Sequence, residues 1–182
     1  MILFCGLCGI LAPMNLTSLL GSLPQVGKVE WIGVRPSRRV PMQIVDVVEA
    51  RAGKGLTGDR FAGSPESKRQ VTLIQAEHLD VVARLMKRES LDPSLLRRNI
   101  AVSGINLLAL NGATFKIGEA TFEGTGGCHP CSRIEEALGA GGYNAMRGHG
   151  GLTARVIEGG LIRVGDTVRV LTAGRLAKRE QE

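Results

Sequence analysis

From Lys28 onward the chain alternates apolar and polar residues in short runs separated by glycine, proline and acidic residues; before Lys28 it does not. Val29-Glu30-Trp31-Ile32-Gly33-Val34 predicts a strand, and Gln43 to Glu49 predicts a second. Arg51 to Pro65, with Gly53, Gly55, Gly58 and Gly63, reads as a long loop of the kind that carries function. Gln70 to Ile74 predicts a strand feeding one helix, Ala76 to Arg88. In that helix Leu79, Val82, Ala83 and Met86 form an apolar stripe, with Glu77, Arg84, Lys87 and Arg88 mostly off it. Further strands are expected over Ile100–Val102, Thr114–Ile117, Ala120–Glu123 and Val168–Leu171. Phe115 to Ala120 and Ile162 to Thr167 share a pattern: an alternating strand, then Gly-acid, then another strand, which is the signature of a tight turn. Many short strands with one or two helices predict a mainly β, barrel-like domain.

Three segments follow from this pattern: an apolar leader over residues 1–27, a domain over 28–171, and a polar tail over 172–182. Met1 to Pro24 holds no charge, but Pro13 and Asn15 interrupt its apolar run well short of the ~20 residues a spanning helix needs. It also lacks the basic start of a secretory signal. The reading adopted is an upstream extension with Met14 as the working start, and no membrane association.

The composition, 43% hydrophobic and 22% charged, is that of a soluble globular chain, and 182 residues can bury a proper core in one domain. Four cysteines without a secretory leader point to a reducing, cytoplasmic setting rather than a disulfide scaffold. The net charge of +6 suggests an anionic partner. Aromatics at 3% leave few platforms for stacking unpaired bases, which favours a phosphate-bearing small molecule over nucleic acid.

The densest chemistry lies in Gly124-Thr125-Gly126-Gly127-Cys128-His129-Pro130-Cys131-Ser132-Arg133-Ile134-Glu135, read as a turn leading into a helix. Pro130 suits the first helical position, and Gly139 is a natural stop. Cys131 then falls in the first turn, where free N–H groups and the helix dipole favour a thiolate, the nucleophilic and metal-ligating form. The bland alternative is a pair of small buried hydrophobes.

Taken together, Gly58-Asp59-Arg60, Arg97-Arg98-Asn99-Ile100, Phe115-Lys116-Ile117-Gly118, Pro130-Cys131, Gly148-His149-Gly150-Gly151-Leu152-Thr153-Ala154-Arg155-Val156 and Ile162-Arg163-Val164-Gly165-Asp166 resemble the MOSC domain, the C-terminal module of molybdenum-cofactor sulfurases. The resemblance runs in consistent order from Lys28 to Leu171. It implies a β-barrel of mixed strands with a few helices, and binding of the molybdenum cofactor or carriage of sulfur for it. Some relatives reduce N-hydroxylated compounds through the metal; here that would require electrons from a partner reductase. The family's hallmark cysteine falls on Cys131, the implied metal ligand, and Cys128 is an extra thiol of the small stand-alone branch. The pterin phosphate of such a cofactor wants donors, and Arg60, Arg98 and Arg155 lie in or beside these motifs. Arginine presents a planar fork that matches phosphate. Asn99 joins the set by adjacency and resemblance. Asp59 can orient a base, though an Asp after Gly is commonly a turn former. His149, among three glycines that let backbone approach a ligand, can donate to an oxyanion or move a proton; His129 has a similar standing.

Two rival chemistries remain open. Cys5-x-x-Cys8 and Cys128-x-x-Cys131 together make a four-thiolate zinc set, although the pairs are far apart in the chain. Cys128 and Cys131 alone make a dithiol redox couple, lacking only the expected βαβ context. A third reading is a non-catalytic module that holds the cofactor for another protein.

Overall fold

The structure, a computed structural model, describes residues 16–172. Cys5, Cys8, Met14 and most of the polar tail lie outside the described residues. A short helix α1 (Leu16–Gly21) precedes β1 (Gly27–Val34), and Leu23 between them packs on the main core.

Seven strands close into a mixed barrel. Around it run β1, β11 (Thr167–Thr172), β7 (Thr114–Ile117), β8 (Ala120–Gly127), β9 (Leu152–Glu158), β5 (Val71–Gln75) and β6 (Ile100–Ser103), which returns to β1. Only the β5–β6 pair is parallel, with Leu73 opposite Ile100; the other neighbours are antiparallel. Closure removes sheet edges, and the interior is filled by side chains such as Val29, Ile32, Leu73, Ile100, Phe115, Phe122, Ala154 and Val168. The Phe115 and Phe122 rings stack across β7 and β8, 5.7 Å between centroids.

A second core sits outside the barrel. β5 is buried on both faces, so Leu73 enters the barrel while Ile74 faces Val82 and Ala83 of α2 (Glu77–Leu85) and Ile134 and Leu138 of α3 (Ser132–Leu138). A parallel strand pair covered by helices gives such continuous burial. The expected stripe on α2 is the buried face: Val82 and Ala83 are enclosed, and Leu79 and Met86 pack beside them. The helix stops at Leu85, short of Arg88, because Lys87 takes a left-handed conformation (φ 53°) and the Arg88 N–H turns back to the Ala83 carbonyl.

Three expectations are corrected. Gln43–Glu49 is not one strand. β2 (Gln43–Ile44) pairs with the barrel's β1, the chain bends at Asp46, and β3 (Val47–Arg51) joins a separate small sheet with β4 (Gly55–Leu56) and β10 (Gly160–Arg163). The Asp46 carbonyl accepts from Val164 N–H at that bend, fixing the departure. The Gly124–Gly127 stretch is strand rather than turn: β8 runs through it against β9, with register shifts absorbed between Gly124 and Gly126. A side chain at Gly124 would overlap the Leu110 carbonyl, so the glycine serves close packing. Finally, the two similar segments turn alike but pair differently. β7–β8 is a hairpin, whereas β10 belongs to the small sheet and β11 to the barrel.

Candidate functional site

The final residues of β1 and β8 meet the leading residues of β5 and β6 at one end of the barrel, and there a cavity of about 300 Å³ opens. Its wall includes Arg35, Asp59, Arg60, Arg69, Arg97, Arg98, Asn99, Cys128, His129 and Cys131. Five of these are arginines, and Asp59 is the one acid among the lining residues. The cavity is built for negative charge.

Backbone dictates much of this. Asp92 caps the 3-10 turn Pro93–Leu96 by accepting from Ser94 N–H at 2.8 Å, and Arg97 ends it in the left-handed region at φ 59°. For a non-glycine residue that conformation is uncommon and concentrates at functional sites. The reversal leaves Arg97 half-buried on the cavity wall and buries the next residue, Arg98. Arg98 is only 5% exposed and donates three hydrogen bonds to main-chain carbonyls: Nε to Gly150 at 2.7 Å, Nη1 to Leu96 at 3.0 Å, and Nη2 to Cys128 at 3.0 Å. It thereby ties the thiol loop to the glycine loop before β9. Burial holds its guanidinium below the ordinary value, with the nearby Cys128 thiol opposing.

Asn99 is equally committed. Its Oδ1 accepts from Thr72 N and Oγ1 at 3.0 and 2.8 Å, and its Nδ2 donates to Gly33 O and Asp59 Oδ1 at 3.3 and 3.2 Å. Asp59 Oδ1 also accepts from Arg35 N–H at 2.9 Å. Asp59 therefore braces the loop against the end of β1; it forms no ion pair with Arg60, and Arg60 N–H donates instead to the Arg35 carbonyl at 2.8 Å. By contrast, Arg35 Nε and Arg60 Nε are buried without a hydrogen-bond partner. Arg35 is held below its ordinary value by burial, then by repulsion from Arg97 and Arg60, against the pull of Asp59 and Cys131. These are cations crowded together with donors to spare.

The thiols differ. Cys128 is buried at 3% exposure and its N–H donates to the Gly151 carbonyl at 2.8 Å, whereas Cys131 is exposed. Cys131 is the residue that caps α3, in extended conformation (φ −137°), and Pro130 lies before it. The expected start of the helix is thus displaced by two residues: neither Pro130 nor Cys131 is in its first turn, although Gly139 ends it as expected, at φ 83°. The shift follows from the Cys131 carbonyl accepting the Ile134 N–H at 2.8 Å, which makes Ser132 the first helical residue.

Cys131, Arg60, Arg98 and Asn99 are brought together here; His149 and Arg155 do not line the cavity. His149 packs edge-on against His78 of α2, ring centroids 4.6 Å apart, and both Nδ1 atoms are buried without partners. Two of the three glycines around it, Gly150 and Gly151, serve close packing, while Gly148 serves a left-handed backbone at φ 80°. A side chain at Gly150 would overlap the Cys128 carbonyl, and one at Gly151 (φ 87°) would overlap that of Leu73. Arg155 lies on β9 and approaches Glu123 through Nε at 2.6 Å, a half-exposed ion pair across to β8 whose geometry is not that of a hydrogen bond. This Nε, like those of Arg35 and Arg60, has no hydrogen-bond partner but, unlike them, faces a carboxylate. In their place the cavity takes His129, Arg35 and Arg97. Arg97 stood inside a quoted motif. Arg35 had no signal except its position directly after a strand and before Pro36. Among the described residues no cluster of three or more metal-ligating side chains occurs, so the four-cysteine zinc set rests on residues outside them. No helix among them is long and apolar enough to cross a membrane.

Comparison with known proteins agrees with this architecture. In the solved structures, similar folds include the YUAD protein from Bacillus subtilis (TM-score 0.69, 21% identity, covering 82% of this chain and 98% of that one). They also include YiiM from Escherichia coli (0.63, 18%, 80% and 70%) and YiiM from Geobacillus stearothermophilus (0.64, 15%, 80% and 75%). No curated protein sequence matches the chain. The family profile of the MOSC domain matches residues 53–169, a span that includes Asp59, the Arg97–Asn99 motif and both cavity thiols, and the chain therefore belongs to the MOSC domain family.

Proposed function

We propose that the cavity binds the molybdenum cofactor, or carries sulfur for it, through Cys131, in the service of reducing N-hydroxylated compounds with electrons from a partner reductase. The observation that carries this reading is the meeting of one exposed thiol with buried, unpartnered guanidinium nitrogens of Arg35 and Arg60 in a single cavity. The donor set fits the group: a thiolate suits a soft molybdenum centre, and guanidinium forks suit a pterin phosphate. What the cofactor supplies when bound is redox chemistry at the metal.

The chain's own residues divide the remaining work. Cys131 offers Sγ as a ligand or as the atom that bears sulfur. Arg35 and Arg60 bind and orient the anionic end. Arg98 and Asn99 are positioning residues: the first fixes the loops bearing Cys128 and Gly150, the second fixes Asp59 and Thr72. His129, exposed between the thiols on the wall, is the side chain suited to moving a proton, the role the motif suggests for His149.

The test is metal and pterin analysis of protein expressed in a host that makes molybdenum cofactor. Molybdenum and pterin are expected near one per chain, with molybdenum lost in Cys131→Ser and pterin reduced in Arg60→Ala. Wild-type protein carrying neither would reject the reading. A dithiol couple is the second reading, favoured by the asymmetry of Cys128 (buried) and Cys131 (exposed) on one wall, since an exposed attacking thiol beside a buried resolving one is how such pairs work. It predicts reversible loss of two titratable thiols on mild oxidation in wild type and of none in Cys128→Ser.

A further inference from the structure

The thiol-bearing cavity adjoins a second, wider one of about 1040 Å³, and the two share Arg35, Met42, Arg60 and Arg97 as lining. The wider cavity adds Arg38, Arg39 and Arg133. Its one lining acid, Glu136, already accepts from Arg133 Nη1 at 2.8 Å. Arg38 and Arg39 make no ion pair with any described residue. Arg39 is held at φ 64°, a left-handed conformation that arginine rarely adopts, within the exposed loop between β1 and β2. Between these charges lie apolar surfaces: Val40 at 39% exposure, Leu95 at 36%, and Pro41.

This combination is specific. Bare arginines would suit any anion, but the volume far exceeds that of inorganic phosphate, and the apolar patches give charge-only ligands nothing to cover. A flat ring joined to phosphate uses both parts: phosphate oxygens on the guanidinium forks, the ring on the apolar shelf with guanidinium planes against its faces. A polynucleotide fits less well, because no aromatic side chain lines the cavity to stack successive bases.

We propose that the wider cavity is a nucleotide site, taking a nucleoside diphosphate group with its phosphates on Arg38, Arg39 and the shared arginines and its base over Val40, Pro41 and Leu95. The chemistry has two sources: a free nucleotide, or a nucleotide portion of a longer ligand whose other end reaches the thiol cavity. The inference adds the outer residues Arg38, Arg39, Arg133, Val40, Pro41 and Leu95 to the shared arginines and goes beyond the cofactor reading, so molybdenum-free protein and variants of the outer residues test it separately.

Equilibrium dialysis of the full chain, purified from a host unable to make molybdenum cofactor, measures binding of adenosine diphosphate, inorganic diphosphate and adenosine. One diphosphate nucleotide per chain is expected, with inorganic diphosphate and adenosine each at least ~10-fold weaker. Arg38→Ala combined with Arg39→Gly should weaken nucleotide binding ~10-fold or more; glycine suits the backbone at position 39, which protects the fold. Arg133→Gln provides a second variant with an expected smaller loss, and Arg155→Gln, outside the cavity, should change nothing. Inorganic diphosphate binding as tightly as the nucleotide overturns the proposal, as does binding indifferent to both the double variant and Arg133→Gln. A single-stranded oligonucleotide that binds more tightly per site than the mononucleotide also overturns it. Mass spectrometry of small molecules released from protein made in a cofactor-competent host separates the sources. Nucleoside monophosphate in one-to-one ratio with pterin identifies the longer ligand, and binding without such release identifies the free nucleotide.

Discussion

Arg98 and Arg60 line the same cavity with the same chemical group, yet they are opposites. Arg98 is buried and spends three of its five N–H donors on carbonyls of Leu96, Cys128 and Gly150. Arg60 is half-buried, donates its main-chain N–H to Arg35, and forms no side-chain hydrogen bond or ion pair among the described residues. One guanidinium builds the site and the other waits on it. A charged residue on a cavity wall therefore declares its role through what it is already bonded to, since buried polar groups in a finished structure are nearly always satisfied.

The largest effect should come from breaking the builder. Arg98→Ala leaves three carbonyls at the junction of the thiol and glycine loops without their donor, each worth about 1–3 kcal/mol if it stays dry. Part of that is returned because a desolvated charge is removed, so a net loss of roughly 3 kcal/mol is expected, equivalent to about 10 °C in melting temperature for a chain of this size. Arg98→Lys keeps the charge but cannot reach three divergent carbonyls, and should recover less than half of the loss. Chemical denaturation of both variants decides it. If Arg98→Ala keeps wild-type stability and loses only ligand, Arg98 belongs with Arg60 and the contrast collapses.

The histidine pair sharpens the contrast, because lack of a partner alone does not mark a ligand site. His78 and His149 also carry buried, unpartnered nitrogens, but an imidazole can shed its charge where a guanidinium cannot. His78 is held below its ordinary value first by burial, then by the adjacent His149, with Glu77 opposing. The sign follows directly. Above the unfolded value of about 6.5 neither state binds the proton and the shift has no effect. As pH falls through 6.5 the unfolded chain protonates before the folded one, so stability declines, and the decline is complete below the folded value. A melting temperature that drops below pH 6.5 in wild type, with the drop diminished in His78→Gln, is expected. An equal drop in both assigns the acid sensitivity to other groups.

These cases also explain what could be read from the chain beforehand. The barrel was legible because alternation in β1, β7 and β11 and the stripe on α2 are local consequences of one-sided burial. The 124–131 segment was legible as chemistry but not as geometry, since whether glycines sit in a turn or in a strand depends on Leu110, which lies elsewhere in the sequence. His149 and Arg155 stand out in the sequence only through the motif they share. Sequence carries no sign that His149 would meet His78 or that Arg155 would face Glu123 across β8 and β9. Arg35 is illegible in the sequence for the converse reason: its partners, Asp59 and Arg60, are distant in sequence and contribute no local pattern.

The smallest effect concerns Arg155, which is charged, inside a family motif, and spent. Its ion pair with Glu123 is half-exposed on both sides, 39% and 34%, so solvent screens much of the 2.6 Å contact and such pairs contribute below about 1 kcal/mol. Arg155→Gln removes the charge but keeps a polar end toward Glu123 and an aliphatic stem on β9. A melting temperature within about 2 °C of wild type is expected, with molybdenum and pterin content unchanged. The same substitution at Arg60 should also leave the melting temperature nearly unmoved while lowering pterin content, because among the described residues that guanidinium forms no hydrogen bond or ion pair. Side by side, the two variants separate an arginine without a charged partner from one that faces a carboxylate within the fold. Loss of pterin in Arg155→Gln at unaltered stability would mean that the β9 ion pair opens toward ligand, and that bonding within the fold is a poor guide to which arginines bind.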